Sequence, residues 1–319
     1  LENPSNGQIS KLTLFDFNLD FTSAGVFSFW SSITGFVLLN IAAFGLDQDM
    51  TQRILTCKNS KEGAKAMIWS VALVIPVMAL FIFIGLLLYV FYQRPDLMQL
   101  SEASQVVQNF EGEKITIFMY YILNEIPSGV RGLVTVGVIA AALSTLNSGL
   151  NSMSSVLVQD IYRPFILKRV DKRAEKLNKT FDDKHFVKAG QFGMVLSALC
   201  LALMAILCFY WQRYTQMPLL AFALSVMVFS YSGLLGVYFT ALFTNRGNKH
   251  SVLASLIVGA LVTFSMQPYV LKSISPSLAD INIGFTWQLC IGTFCAFVIC
   301  CLGKKQPSAD VTMKKALLT

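Results

Sequence analysis

Seven runs of the chain, at 24–47, 65–93, 130–163, 186–212, 216–244, 250–271 and 281–303, approach or exceed the roughly 20 apolar residues a helix needs to cross a hydrocarbon core of about 30 Å. No single aqueous core has use for so many. The runs are too long and too evenly apolar for barrel strands, and backbone polar groups in lipid must be satisfied within the segment, so the runs predict helices. The expected fold is therefore an all-α membrane protein, a polytopic bundle of about seven transmembrane helices. Composition agrees, with 55% hydrophobic and 13% charged residues and a mean hydropathy of +0.59, against roughly 25% charged residues in an ordinary soluble domain.

Seven spans put the two ends on opposite sides, and the Lys and Arg distribution selects one orientation. The connections around 53–65, 163–188, 246–249 and 304–315 hold 19 of the 25 basic residues, nine of them in 163–188. The other side keeps Lys11, Arg94, Lys114, Arg131, Arg213 and Lys272, and its 94–130 loop carries Asp96, Glu102, Glu111, Glu113 and Glu125. The basic side is expected in the cytoplasm, with the N-terminus of the segment outside and the C-terminus inside a cell membrane. The formal charge of +7 then reports topology beside anionic lipid, and no nucleic-acid partner is expected. Within the outer loop, 115–125 is apolar but too short to span, which predicts a short helix over the outer mouth.

Acid–base chemistry has no obvious reagents in the spans. No acidic residue lies in the middle of one, and His185 and His250 sit at cytoplasmic connections. HExxH, GxSxG and Walker A patterns are absent, so the chain does not read as an enzyme. The seven cysteines show no metal spacing and read as small packing residues. Adjacent Cys300 and Cys301 fit either acylation or packing, and packing is favoured.

Oxygen is concentrated in the third span. Ala141, Ser144, Ser148, Ser152 and Ser155 recur at helical spacing on one face, widened by Thr145, Asn147 and Asn151. Sodium is a hard cation, and hydroxyls and carbonyls can replace its hydration shell without a permanent buried charge. The competing reading is that small and hydroxylated residues let helices approach and hydrogen-bond across the contact. The first span holds a second polar point, Asn40, between Gly35 and Gly45. A buried amide in lipid needs a partner in protein, water or ligand, and the glycines permit an unwound stretch.

Two segments resemble the sodium/solute symporter family, which includes sodium-coupled sugar, proline, sialic acid, iodide and vitamin transporters. One is 40–53 (NIAAFGLDQDMTQR), similar to the family's stretch ending in a Gln-Arg pair. The other is 132–162 (GLVTVGVIAAALSTLNSGLNSMSSVLVQDIY), similar to its Ala- and Ser-rich helix closing with Asp-Ile-Tyr. The resemblance implies a LeuT-type fold of two inverted five-helix repeats. On it, 1–23 is an extracytoplasmic loop, 24–244 the second repeat, 245–303 two peripheral helices and 304–319 a cytoplasmic tail. The first repeat would precede Leu1, because the polar start carries no signal peptide and begins without Met.

The resemblance also implies sodium-coupled symport of a small solute, with Na+ held by the Ala141 carbonyl and the Ser144 and Thr145 hydroxyls, and with further ligands from the missing N-terminal helices. A second sodium in some members falls on Asn147 and Ser148, where asparagine replaces a hydroxyl. Asn40 matches an asparagine that touches sugar in sugar carriers. Ala43, Ala72 and Leu224 stand where such members have an aromatic gate, a lysine and a glutamine, so a close copy of the sugar site is not expected. A solute sensor, a passive channel or a structural subunit are the alternatives.

Overall fold

The computed structural model describes residues 15–93, 109–110, 113–114, 116–166, 183–215, 219–274 and 282–304. Most of the 163–188 connection, most of 94–115 and the tail beyond 304 lie outside the described residues. The helices in chain order are α1 (Phe29–Gly45), α2 (Gln48–Leu55), α3 (Ser60–Gln93), α4 (Ile117–Asn124) and α5 (Ser128–Val156). After them come α6 (Asp183–Thr215), α7 (Leu219–Phe243), α8 (Lys249–Ser265), α9 (Pro268–Ile274) and α10 (Phe285–Cys301). Beside them, the described residues contain one two-residue β pairing, Asn109–Phe110 with Glu113–Lys114. The fold is the expected all-α membrane class.

Among the described residues four helices, α3, α5 with its C-terminal extension, α6 and α7, are long and apolar enough to cross a membrane, and α1 with α2 makes a fifth if the bent pair counts as one. The first expected span, 24–47, is thus α1, and α2 lies beyond its end. A 3-10 turn at Ser23–Phe27 precedes it, a π turn occupies Ser32–Phe36, and the axis bends by 56° after Gly45. The Asp47 carboxylate accepts the Asp49 N–H at 2.9 Å. Such an Asx contact competes with helix continuation and starts a new helix instead. Gly35 is needed for packing, because a Cβ there would collide with Thr286.

The sixth and seventh spans are shorter than expected, since α8 and α10 have 17 residues each, about 26 Å at the helical rise. The sixth breaks at Met266 and Gln267. Pro268 disfavours helical backbone in the residue before it and lacks an N–H of its own, so α8 ends and α9 begins there.

The chain divides into two compact units, 1–50 with 200–319, and 51–199. In the first, α7, α8 and α10 pack closely through small residues, as helices in lipid do. A Cβ on Gly259 would lie 2.6 Å from the Gly233 Cα, the Ser255 hydroxyl donates to the Ala296 carbonyl at 2.7 Å, and Thr263 donates to Ser232 at 3.2 Å. Val228, Leu235, Leu289 and Ala42 are fully buried in this core. Cys300 is 1% exposed and Cys301 Sγ lies 3.8 Å from the Thr240 hydroxyl, which fits packing rather than acylation.

In the second unit α4 realises the short helix expected at 115–125. The Thr116 hydroxyl caps it by accepting the Met119 N–H at 3.3 Å. Its Tyr120 and Tyr121 rings meet Tyr92 and Phe91 at the end of α3. Near the other end of α5, the Ser154 hydroxyl donates to the Gly190 carbonyl of α6 at 2.6 Å.

Candidate functional site

The oxygen-rich stripe of α5 divides into two parts. Toward the C-terminal end Ser152 and Ser154 are buried, and Ser154 joins α5 to α6. Hydroxyl-mediated packing describes that part. Ala141, Ser144, Thr145 and Asn147 are exposed, and Ser148 is half-buried. Leu143 and Leu146 are exposed as well, so exposure alone does not select a face.

One contact within the helix brings two of these oxygens together. The Thr145 hydroxyl donates to the Ala141 carbonyl at 3.1 Å. Two oxygens that share one hard cation at about 2.4 Å, with an angle near 80–90° between them, lie about 3.1–3.4 Å apart. The separation in α5 is compatible with a shared ion, as it is wherever a hydroxyl bonds the carbonyl one turn back, Thr135 to Arg131 and Ser225 to Ala221 among them, and the hydroxyl proton can rotate away while the oxygen turns a lone pair to an ion. Ser144 is the preceding residue, about 100° around the helix, which puts its hydroxyl beside rather than behind this pair. The Ser148 hydroxyl donates to the Thr145 carbonyl at 3.4 Å. Among the described residues no group of three or more His, Cys, Asp or Glu could hold a metal ion, and the oxygens that α5 offers a cation are neutral.

Asn40 lies in the regular part of α1, between the π turn and the break, so the unwound stretch that the glycines permit falls on either side of it. The expectation of a buried amide is corrected: Asn40 is exposed, and its Nδ2 donates to the Phe36 carbonyl one turn earlier at 2.8 Å. An asparagine can meet its first requirement within its own helix, and here it does. The amide still has a second N–H and its oxygen for another partner. Ala43 is half-buried and Ala72 exposed.

Leu224, at the position where sugar carriers have glutamine, lines a cavity of about 300 Å3 in the first unit together with Val26, Phe27, Phe285 and the two glutamines 267 and 288. Those glutamines form a pair that sequence reasoning missed. Gln267 Nε2 donates to Gln288 Oε1 at 2.8 Å, Gln288 Nε2 donates to the Ile283 carbonyl at 2.8 Å, and each side chain is 3% exposed. The available signal was one glutamine inside each of two otherwise apolar spans.

The family model described as "Sodium:solute symporter family" matches residues 16–259. The sodium/sialic acid symporter NanT of Aliivibrio fischeri is 26% identical over 224 residues, covering 70% of this chain and 39% of the relative. The sodium/sialic acid symporter SiaT of Proteus mirabilis is 27% identical over 235 residues, covering 73% and 42%. The human sodium/iodide cotransporter is 25% identical over 256 residues, covering 78% and 35%. A solved substrate-bound, outward-open structure of a Na+-coupled sialic acid symporter superposes with a TM-score of 0.62 at 22% identity, covering 91% of this chain and 53% of that one. The chain spans about two fifths of the length of the curated relatives it matches.

Proposed function

This chain belongs to the sodium:solute symporter family, and from that premise we propose that the protein couples sodium influx to uptake of a small organic solute by alternating access. The observation that carries the proposal is the family match over residues 16–259, which takes in the Ser-rich helix α5 and its Ala141 and Thr145 oxygens, 3.1 Å apart. Na+ binds the Ala141 carbonyl and the Ser144 and Thr145 hydroxyls, with its remaining ligands supplied from outside α5. Asn147 and Ser148 form the lesser candidate for a second ion. No titrating group is required, because an ion that binds one conformation more tightly biases the equilibrium by that difference alone.

Asn40 contacts the solute through the part of its amide that the Phe36 carbonyl does not occupy. The relatives' names run from sialic acid to iodide and vitamins, so ion coupling is the shared element and the solute is what varies. Ala43, Ala72 and Leu224 point away from a copy of the sugar site. The basic side faces the cytoplasm, and the membrane is that of the cell.

The test is counterflow and gradient-driven uptake by the full-length protein in liposomes, screened over organic acids, sugars, amino acids and vitamins. Uphill accumulation that collapses when sodium is equalised supports the reading. Downhill flux indifferent to sodium indicates a channel, and binding without flux indicates a sensor.

A further inference from the structure

The second unit contains a groove about three turns beyond the oxygen pair of α5. Its volume is about 640 Å3, and it runs between a π turn at Leu157–Tyr162, which extends α5, and the first half of α6. Two contacts pin its walls. Ser154 is bonded to the Gly190 carbonyl, with Gly193 so close that a Cβ there would lie 3.3 Å from the Ser154 hydroxyl. Nearer the helix ends, the Tyr162 hydroxyl meets His185 Nε2 at 3.0 Å with the rings stacked. The wider π turn keeps the helices from closing along the stretch between. Ile161 and Phe165 form one wall and Phe192 and Leu196 the other, each between 45% and 71% exposed.

An apolar trough on a membrane helix is unremarkable by itself, but this one has cations at its mouth. Lys188 lines it, Lys184 is exposed one turn earlier on α6, and Arg163 stands at the end of the π turn with its guanidinium 5.4 Å from the Phe186 ring. Asp160 offsets one charge, and the 163–188 connection that starts here carries nine basic and four acidic residues. The groove therefore joins an apolar trough to a mouth at which Arg163, Lys184 and Lys188 outnumber Asp160. Basic pockets between transmembrane helices at the membrane boundary select anionic headgroups.

We propose that this groove binds an anionic phospholipid, with an acyl chain along Ile161, Phe165, Phe192 and Leu196 and the phosphate at Lys184 and Lys188. The occupant is a lipid rather than a soluble phosphate because the greater part of the site is apolar wall, and it is anionic because Lys188 sits on the groove itself. The inference is independent of the transport reading and of which ions are coupled.

The experiment places the full-length protein in nanodiscs of phosphatidylcholine doped with photoactivatable phosphatidylglycerol, and maps crosslinked peptides by mass spectrometry. Labelling is expected within 157–196, displaced by unlabelled phosphatidylglycerol and not by added phosphatidylcholine or inorganic phosphate. Lys184→Gln with Lys188→Gln should cut labelling about tenfold or more, and Ala189→Trp, which fills the groove, should abolish it. Lys188→Arg keeps the charge and should retain labelling, with the thermal midpoint of each variant as the folding control. Equal competition by the zwitterionic lipid, indifference to loss of both lysines, or indifference to Ala189→Trp in folded protein would overturn the proposal. The last result would mean that another segment of the protein covers the groove.

Discussion

Replacing Gln288 by leucine tests whether the buried glutamine pair is a packing clasp or an idle coincidence of apolar spans. The substitution removes two hydrogen bonds, from Gln267 Nε2 to Gln288 Oε1 and from Gln288 Nε2 to the Ile283 carbonyl, both 2.8 Å long. Interhelical hydrogen bonds in membrane proteins contribute about 0.6 kcal/mol on average and up to about 1.7, whereas leaving a buried polar partner unsatisfied costs about 1–3 kcal/mol. Gln267 is 3% exposed, so the second figure governs and Gln288→Leu should destabilise by about 1–3 kcal/mol. The same reasoning makes the double variant Gln267→Leu with Gln288→Leu less harmful than the sum of the singles, since no side-chain amide is left stranded and only the Ile283 carbonyl loses its donor. Thermal unfolding of purified protein in one detergent, with all four members of the cycle, measures this directly. Single variants at the wild-type midpoint, or a double variant that loses the full sum, would refute the argument.

Other outcomes follow from the same geometry. Gly259→Leu should separate α7 from α8, because its Cβ would lie 2.6 Å from the Gly233 Cα; a loss of about 1–3 kcal/mol or more should appear as reduced folded yield, and a normal yield contradicts the close approach. Asn40→Ala should raise the solute KM by an amount corresponding to about 1–3 kcal/mol while the sodium activation curve stays in place; an unchanged KM would return Asn40 to a purely local role against Phe36. For orientation, an impermeant thiol reagent applied to intact cells should label a cysteine at Asn124 and leave one at Lys184 untouched, both positions being exposed, and the opposite pattern would invert the topology.

The helical membrane class was legible because apolar run length is a property of the chain alone. Where helices stop depends on finer chemistry: the first span was read to end at 47, α1 ends at Gly45, and the Asp47 contact restarts the chain as α2 beyond that end. The sixth span was overextended because its apolar character continues past Pro268 while its backbone cannot. On α5 the periodicity of the oxygens could not divide Ser152 and Ser154, which are buried, from Ala141 and Thr145, which are exposed. That division depends on where Gly190 and Gly193 bring α6 close. Asn40 was expected to be buried because its neighbours are apolar, yet its carbonyl partner lies in its own helix. The Gln267–Gln288 pair was missed for a related reason: glutamines 21 residues apart become neighbours only once α8, α9 and α10 are folded.

The central claim is that α5 binds sodium through Ala141, Ser144 and Thr145, and equilibrium binding of radioactive sodium to the purified full-length protein tests it without requiring the solute to be known. The wild type should bind saturably, and Ser144→Ala with Thr145→Ala should weaken binding at least about tenfold, equivalent to about 1.4 kcal/mol, with folded yield and helical circular dichroism unchanged. Wild-type sodium affinity in the folded double variant, or an affinity that falls only in step with folded yield, would contradict the assignment and leave these hydroxyls as packing groups.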